Sequence, residues 1–345
     1  MMKPLEQLVR PNILQLAPYS SARNEYSGHE ATVFLDANEN PYNEPYNRYP
    51  DPLQLELKQK LSALKGLSPK CIFLGNGSDE AIDLPYRIFC EPGIDNAVAI
   101  EPTYGMYRVC ADINNVEYRP VELGEGFSMN ADKLLAAIDE HTKLIWICTP
   151  NNPTGNNMNH DEIRRVIENF DGIVIVDEAY ADFTRVRPIR LDVPKYGNLI
   201  VLNTLSKAWG CAALRLGMAF AQPPIIDLFN KVKYPYNVNL LTQQKAIEII
   251  TDQEAMEKHL SIILGERERV MAAFQDLSFC KKVYPTDANF FLARMDNAQK
   301  IYDYLISRGI VVRNRTHVTL CHDCLRVTIG KTSENQALLA ALRQY

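Results

Sequence analysis

"LIVLNTLSKAWGCAALRLGMAF", Leu199 to Phe220, places two apolar runs on either side of a polar turn. The turn holds Ser206, Lys207 and, eight residues beyond the lysine, Arg215. "LIVL" reads as a buried strand, and lysine is almost never fully buried unless paired. Lys207 is therefore either a solvated lysine in a strand-to-helix loop or a functional amine at a strand end.

Working outward, apolar runs recur, each bounded by a turn signal. They are "CIFLG" (71–75), "AVAIE" (97–101), "LIWICTP" (144–150), "GIVIVDE" (172–178), "LIVLNT" (199–204) and "LGMAF" (216–220). Helical patterns such as "DEAIDLPYRIFC" and "NHDEIRRVIENF" lie between several of them. Continuous apolar strands alternating with helices predict an α/β fold with a mostly parallel central sheet covered on both faces. From about Leu241 the texture changes. A long amphipathic stretch from Thr242 to about Leu277 precedes "ANFFLARM", "AQKIYDYLISRG", "IVVRN", "CLRVTIG" and "SENQALLAALRQY". This predicts a smaller α+β domain. The expected division is an irregular N-terminal segment at 1–50, a large domain at 51–240 and a small domain at 241–345. The first segment, rich in Asn, Pro and Tyr, is expected to pack on the small domain, wrap over the site and reach a partner subunit.

At 345 residues the chain exceeds what one core usually holds. Hydrophobic residues make up 46% and charged residues 23%, the usage of a soluble globular protein. A net charge of −5 argues against a nucleic-acid binder working through a broad basic surface. "MMKPLEQLVRPNILQL" has no signal-peptide pattern, and no apolar run has the length of a membrane span. The expected compartment is the cytoplasm. Eight cysteines in a chain this long do not make a disulfide scaffold, and most lie in apolar runs. One cluster, "HVTLCHDCLRV", brings His317, Cys321, His322 and Cys324 together. A structural zinc site normally needs two well-spaced ligand pairs. The other reading is a tight turn into an edge strand.

In open α/β sheets, ligands bind outside the carboxyl ends of the strands. Five strand ends carry polar or turn residues: "GNGSDE", "EPTYG", "TPNNPTG", "DEAY" and "LSK". Asp177 follows "GIVIV" directly, and a carboxylate there needs a partner. A helix N-cap, a structural salt bridge or a protonated ring nitrogen would each serve. At about 4 Å and an effective dielectric near 20, opposite charges interact by about 4 kcal/mol. That holds a pyridine nitrogen protonated and makes the ring an electron sink. Tyr180 and Asn152 are candidates to hold a ring oxygen, although Asn-Pro dipeptides also start turns. In "GNGSDEAI", Gly75 and Gly77 let the backbone bend, and Ser78 or Asp79 can cap the helix that follows. Free N–H groups there make a site for a small phosphate. The stretch is neither a G-x-G-x-x-G fingerprint nor a Walker loop. Arg215 could clamp the phosphate bidentately, with Ser206 adding a hydroxyl. In such a pocket Lys207 would form a Schiff base with pyridoxal phosphate and then shuttle a proton at the substrate's α-carbon.

These motifs resemble the fold type I pyridoxal-phosphate aminotransferases, and closely the histidinol-phosphate aminotransferases. The resemblance runs over nearly the whole chain: "LAPYSSAR", "LDANENPY", "NRYPDP", "GNGSDEAIDL", "PTYGMY", "PNNPTG", "VDEAYADF", "TLSKAWGCAALRLG", "PYNVN", "ANFFL", "GIVVR" and "LRVTIG". It implies Lys207 as the Schiff-base lysine, Asp177 at the pyridine nitrogen, and Tyr180 with Asn152 at the ring oxygen. It implies Tyr104 stacked on the ring. Ser78, Asp79, Ser206 and Arg215 would surround the cofactor phosphate, with Tyr49 reaching it from the other subunit of a homodimer. Arg326, Arg313 and Tyr19 would bind the substrate, with Asn38 lining the same cleft. Arginines of this kind suit a phosphate dianion or the distal carboxylate of glutamate alike.

The implied reaction is transamination of L-histidinol phosphate with 2-oxoglutarate, giving imidazole-acetol phosphate and L-glutamate, in histidine biosynthesis. The related alternatives are a threonine-phosphate decarboxylase-like lyase and a broader aromatic amino-acid aminotransferase. A cofactor-binding transcriptional regulator would need an added DNA-binding domain, and no clear helix-turn-helix precedes the core. Departures from the family pattern are small: Trp209, Cys211, Ala213 and Thr149 stand where other residues are common. None removes a charged or catalytic group.

Overall fold

β4 (Thr142–Cys148), β5 (Ile173–Asp177) and β6 (Leu199–Thr204) are almost wholly buried along their lengths. In the computed structural model, which describes residues 3–18 and 33–345, they form the middle of a seven-stranded sheet. The order is β1-β7-β6-β5-β4-β2-β3, with β1 at Ile72–Asn76, β2 at Asn96–Glu101, β3 at Glu117–Glu122 and β7 at Leu216–Phe220. β3, β2, β4, β5 and β6 pair in parallel, while β7 runs antiparallel to β6 and β1. The mostly parallel large sheet expected from sequence is therefore present. Lys207 lies on the crossing from β6 to the antiparallel β7, with a short 3-10 turn at Ala212–Leu214, and not on a strand-to-helix loop.

Side chains alternate across this sheet. Ile173, Ile175, Ile200 and Leu202 enter one core with Trp146 and the helix Ser78–Phe89. Val174, Val176, Leu199 and Val201 enter the other with Ile163 and Val166 of the helix His160–Asn169. Both faces are dry, which is why the strands read as unbroken apolar runs. β3 lacks that signature. It is an edge strand, paired only with β2, and "EYRPVE" alternates with solvent and tolerates Pro120.

The C-terminal part builds a four-stranded antiparallel sheet, β10-β11-β9-β8. Its strands are β8 (Cys280–Val283), β9 (Phe290–Met295), β10 (Arg313–Asn314) and β11 (Cys324–Thr328). Phe291, Ala293, Leu325 and Val327 pack under helices 253–275, 298–307 and 332–342. One expectation is refined here and one corrected. The stretch from Thr242 is two helices, Leu240–Thr251 and Gln253–Gln275, because Asp252 leaves helical geometry and its side chain caps the second. The strand after "HVTLCHD" is internal, since β11 lies between β10 and β9. Cys321 and Cys324 are buried free thiols. Among the described residues, no three His, Cys, Asp or Glu side chains are disposed to hold a metal.

Of the N-terminal segment, the helices Leu5–Leu8 and Pro11–Gln15 dock on the large sheet's helical layer. Leu8, Val9 and Ile13 join the core of Ser78–Phe89, and Arg10 N–H donates to the Ile88 carbonyl at 2.9 Å.

Candidate active site

The carboxyl ends of β4, β5 and β6 are in register: Asp177 pairs with Cys148 on one side and Leu202 on the other. A cleft of about 710 Å3 opens there. Lys207, Asp177, Tyr180, Tyr104, Asn152, Ser78, Asp79, Ser206, Arg215, Arg313 and Arg326 all line it. Eleven of the fourteen residues singled out from sequence thus meet in one place.

Asp177 is buried at the floor. Its Oδ1 accepts from the backbone N–H of Ala179 at 3.0 Å, and its Oδ2 accepts from the hydroxyl of Tyr107 at 2.6 Å. Burial raises its pKa; the Tyr107 bond, the Ala179 bond and the Lys207 charge oppose that rise. Sequence reasoning missed Tyr107. It lies on the helix Met106–Ile113, stacks on Trp146 of β4 at 4.7 Å, and its carbonyl accepts from the Tyr86 hydroxyl at 2.8 Å. The only signal was "PTYGMY", which places a second tyrosine three residues after Tyr104, in the first turn of the helix that follows.

The Lys207 amine is accessible within the cleft yet ringed by protein. Desolvation is the main cause of its lowered pKa, with Arg326 adding to it; Asp177 and Asp79 act against. Nζ lies 5.5 Å from the centre of the Tyr180 ring. Tyr180 packs edge-on against Phe290 of β9 at 5.1 Å, and the Arg326 guanidinium sits 5.2 Å over the same Phe290 ring. Arg326 Nη1 donates to Oδ1 of Asn152, which leaves the Asn152 amide nitrogen as the group to donate elsewhere. Burial lowers the Arg326 pKa to about 10, and Arg315 and Arg313 contribute.

At the other end of the cleft, Ser78 opens the helix Ser78–Phe89. Neither Ser78 nor Asp79 caps it. The N-cap is Gly77, at φ +80°, with no side-chain bond. The Asp79 carboxylate instead pairs with Arg215 Nη2 at 2.9 Å and accepts from the Tyr104 hydroxyl at 3.4 Å. The first-turn N–H groups therefore face the cleft without a capping side chain, as an anion needs. Close approach makes the turn. A Cβ on Gly217 of β7 would lie 2.2 Å from the Ser78 nitrogen, and one on Gly77 would lie 2.4 Å from Arg215 Nη2. The Thr204 hydroxyl braces the loop before Lys207, accepting from Ser206 N–H at 3.0 Å. This Cβ-free cradle, with a guanidinium over it and Ser206 beside it, fits a phosphate monoester. The amine of Lys207 and the carboxylate of Asp177 fit the aldehyde and ring nitrogen of a pyridine aldehyde.

Two expected residues, Asn38 and Tyr49, do not line this cleft. Tyr19 lies outside the described residues. Asn38 and Tyr49 line a second cleft with Asn239 to Leu241. Asn38 takes φ +56°, and Glu39 binds Arg48 at 2.7 Å and the Tyr49 N–H at 2.7 Å, which folds the segment back on itself. Tyr49 then stacks on Tyr236 at 4.4 Å. Asn38 was expected beside the substrate and, within one chain, is not.

Residues 22–342 match the model of the aminotransferase class I and II family. The histidinol-phosphate aminotransferase of Bacteroides thetaiotaomicron is 58% identical over 344 residues, covering 100% of this chain and 99% of that relative. The solved histidinol-phosphate aminotransferase from Clostridium acetobutylicum is similar, with a TM-score of 0.80 at 25% identity over 87% of this chain and 90% of that one. The enzyme from Sinorhizobium meliloti, solved in complex with pyridoxal-5'-phosphate, shares the fold, with a TM-score of 0.79 at 23% identity over 86% and 82%.

Proposed function

The chain belongs to the class I and II aminotransferases, among the histidinol-phosphate aminotransferases, and from that premise we propose that it transfers the amino group of L-histidinol phosphate to 2-oxoglutarate. The products are imidazole-acetol phosphate and L-glutamate, in histidine biosynthesis. Its cofactor is pyridoxal phosphate. The observation that carries the reading is the meeting, in one cleft, of the Lys207 amine, the buried Asp177 carboxylate and the Arg313–Arg326 pair.

Bound pyridoxal phosphate supplies an electron sink for the bond that breaks at the substrate's α-carbon. Lys207 would hold it through its amine. Asp177 would keep its ring nitrogen protonated, in the orientation that Tyr107 and Ala179 fix. Asn152 and Tyr180 would bind its ring oxygen, and Tyr104 would cover the ring. The N–H groups at Ser78 and Asp79, with Ser206 and Arg215, would hold its phosphate. A desolvated amine of lowered pKa is a better base at neutral pH. Lys207 Nζ takes a proton from the α-carbon of the amine substrate and returns one to the α-carbon of the oxo acid. Arg313 and Arg326 bind the far anion of either substrate.

We also propose a homodimer in which Tyr49 serves the partner's site. The support is its place outside the cleft of its own chain, in a second cleft that the exposed Tyr46 and Leu241 also line. The proposed compartment is the cytoplasm, which suits eight free thiols. Among the described residues no helix is long and apolar enough to cross a membrane.

The test is a half-reaction. With L-histidinol phosphate alone, the absorbance of the bound cofactor aldehyde should vanish, and 2-oxoglutarate should restore it. Carbon dioxide released from L-threonine O-3-phosphate, with no such exchange on L-histidinol phosphate, would make the protein a lyase.

A further inference from the structure

The smaller sheet carries a third guanidinium that the roles above leave unassigned. Arg313 and Arg326 are direct cross-strand partners on β10 and β11. The N–H of Arg315 donates to the Cys324 carbonyl at 2.8 Å, so the ladder continues beyond β10. Side chains alternate between the faces of a strand. Arg313, Arg315 and Arg326 therefore share one face, and all three line the cleft that holds Lys207.

Like charges on adjacent strand positions repel. Burial, then Arg313, lowers the Arg315 pKa, and Arg315 in turn lowers that of Arg326. Among the described residues, neither has a carboxylate as a close electrostatic partner. Among the described residues, Nε of Arg315 and Nε of Arg326 are both buried without a hydrogen-bond acceptor. Native proteins leave few buried donors unmet. Two orphaned donors amid uncompensated positive charge are what a multiply charged anion satisfies.

We propose that Arg315 contacts the phosphate of the phosphorylated amine substrate, completing with Arg313 and Arg326 a three-guanidinium site for a dianion. This rests on the substrate reading above. A phosphate monoester carries nearly two charges at neutral pH and three acceptor oxygens. A distal carboxylate carries one charge and two oxygens. Arg315 is thus the member of the trio that the phosphate ester needs and the oxo acid does not.

The experiment uses holoenzyme carrying Arg315→Gln or Arg315→Lys. Arg315→Gln should raise KM for L-histidinol phosphate by about 10- to 100-fold, the usual effect of losing a hydrogen bond to a charged group. KM for 2-oxoglutarate and kcat should each change by less than about threefold, and the cofactor absorbance should not move. Inorganic phosphate, as a competitive inhibitor, should weaken in parallel. Arg315→Lys keeps the charge but not the planar fork and should fall between. It also serves as the test if Arg315→Gln does not fold. Unchanged KM and phosphate inhibition in a phosphate-selective enzyme would overturn this inference alone. An equal rise for both substrates would reduce Arg315 to a structural role and overturn it too. A wild-type enzyme indifferent to the phosphate would remove the substrate reading, and this inference with it.

Discussion

The hydroxyl of Tyr107 donates a 2.6 Å hydrogen bond to Oδ2 of Asp177, and both side chains are buried beneath the cleft. The carboxylate is oriented from below by a phenol that itself rests on Trp146. Burial favours the neutral acid, while this bond favours the anion.

Tyr107→Phe should therefore move two measurements. Losing a hydrogen bond to a buried charged acceptor should cost about 1–3 kcal/mol of stability, read by denaturant unfolding. The Asp177 pKa should also rise further. Activity requires the ionised carboxylate, so the acidic limb of the kcat/KM profile should move to higher pH. An unmoved limb in the folded variant would refute the positioning role.

The large sheet and its charges were legible for one reason. β4, β5 and β6 are dry on both faces, so each reads as an apolar run, and the polar residue that ends each run stands at the sheet's carboxyl edge. What was not legible depended on distant partners. Tyr107 meets Asp177 across seventy positions of chain. Arg315 joins Arg313 only because the ladder with Cys324 continues past β10. Asn38 and Tyr49 are placed by Glu39, which binds both Arg48 and the Tyr49 N–H. β3 and β8 are edge strands, where solvent on one side erases the apolar signature.

Lys207→Ala should lower kcat/KM by at least about 100- to 10,000-fold, the usual worth of a positioned acid–base group, and more if attachment also matters. Borohydride treatment of the wild type, followed by peptide mapping, should place the cofactor label on Lys207. A label on another lysine would displace it from the mechanism.

Gly217→Ala tests the phosphate cradle. Its Cβ would lie 2.2 Å from the backbone nitrogen of Ser78, a clash that no side-chain rotation relieves. The turn must shift, at about 1–3 kcal/mol of stability, and cofactor affinity should fall about tenfold or more on titrating apoenzyme with pyridoxal phosphate. Gly265→Ala is the control. It sits in a helix with nothing near its Cβ and should gain about 0.5–1 kcal/mol. Equal behaviour of the two variants would count against the cradle.

Arg313→Ala should raise KM for L-histidinol phosphate by about tenfold or more while leaving KM for unphosphorylated histidinol nearly unchanged. Arg326→Ala should impair turnover more than cofactor retention, since its guanidinium binds Asn152 rather than the cradle around Ser78. Loss of the yellow colour with folding intact would contradict that assignment.

Glu178, the residue after Asp177, gives a prediction in pH. Its Oε1 accepts from the Ile189 N–H at 2.5 Å, Arg190 approaches Oε2 only to 3.7 Å, and Oε2 has no hydrogen-bond donor among the described residues. Burial raises its pKa from an ordinary 4.5 to about 7; Arg190 and the backbone bonds oppose that rise incompletely. The folded protein thus keeps this proton where the unfolded chain has lost it. The associated stability is fully present below about pH 4.5 and is lost as pH rises through about 7, by about 3 kcal/mol in all. Glu178→Gln keeps a neutral side chain at every pH. The stability of the variant minus that of the wild type should therefore grow by about 2.5 kcal/mol between pH 5 and pH 8 and stay level above that. Denaturant midpoints at pH 5, 6, 7 and 8 read the difference directly. A difference that stays flat, or shrinks, would mean that Arg190 closes on the carboxylate and holds it ionised throughout.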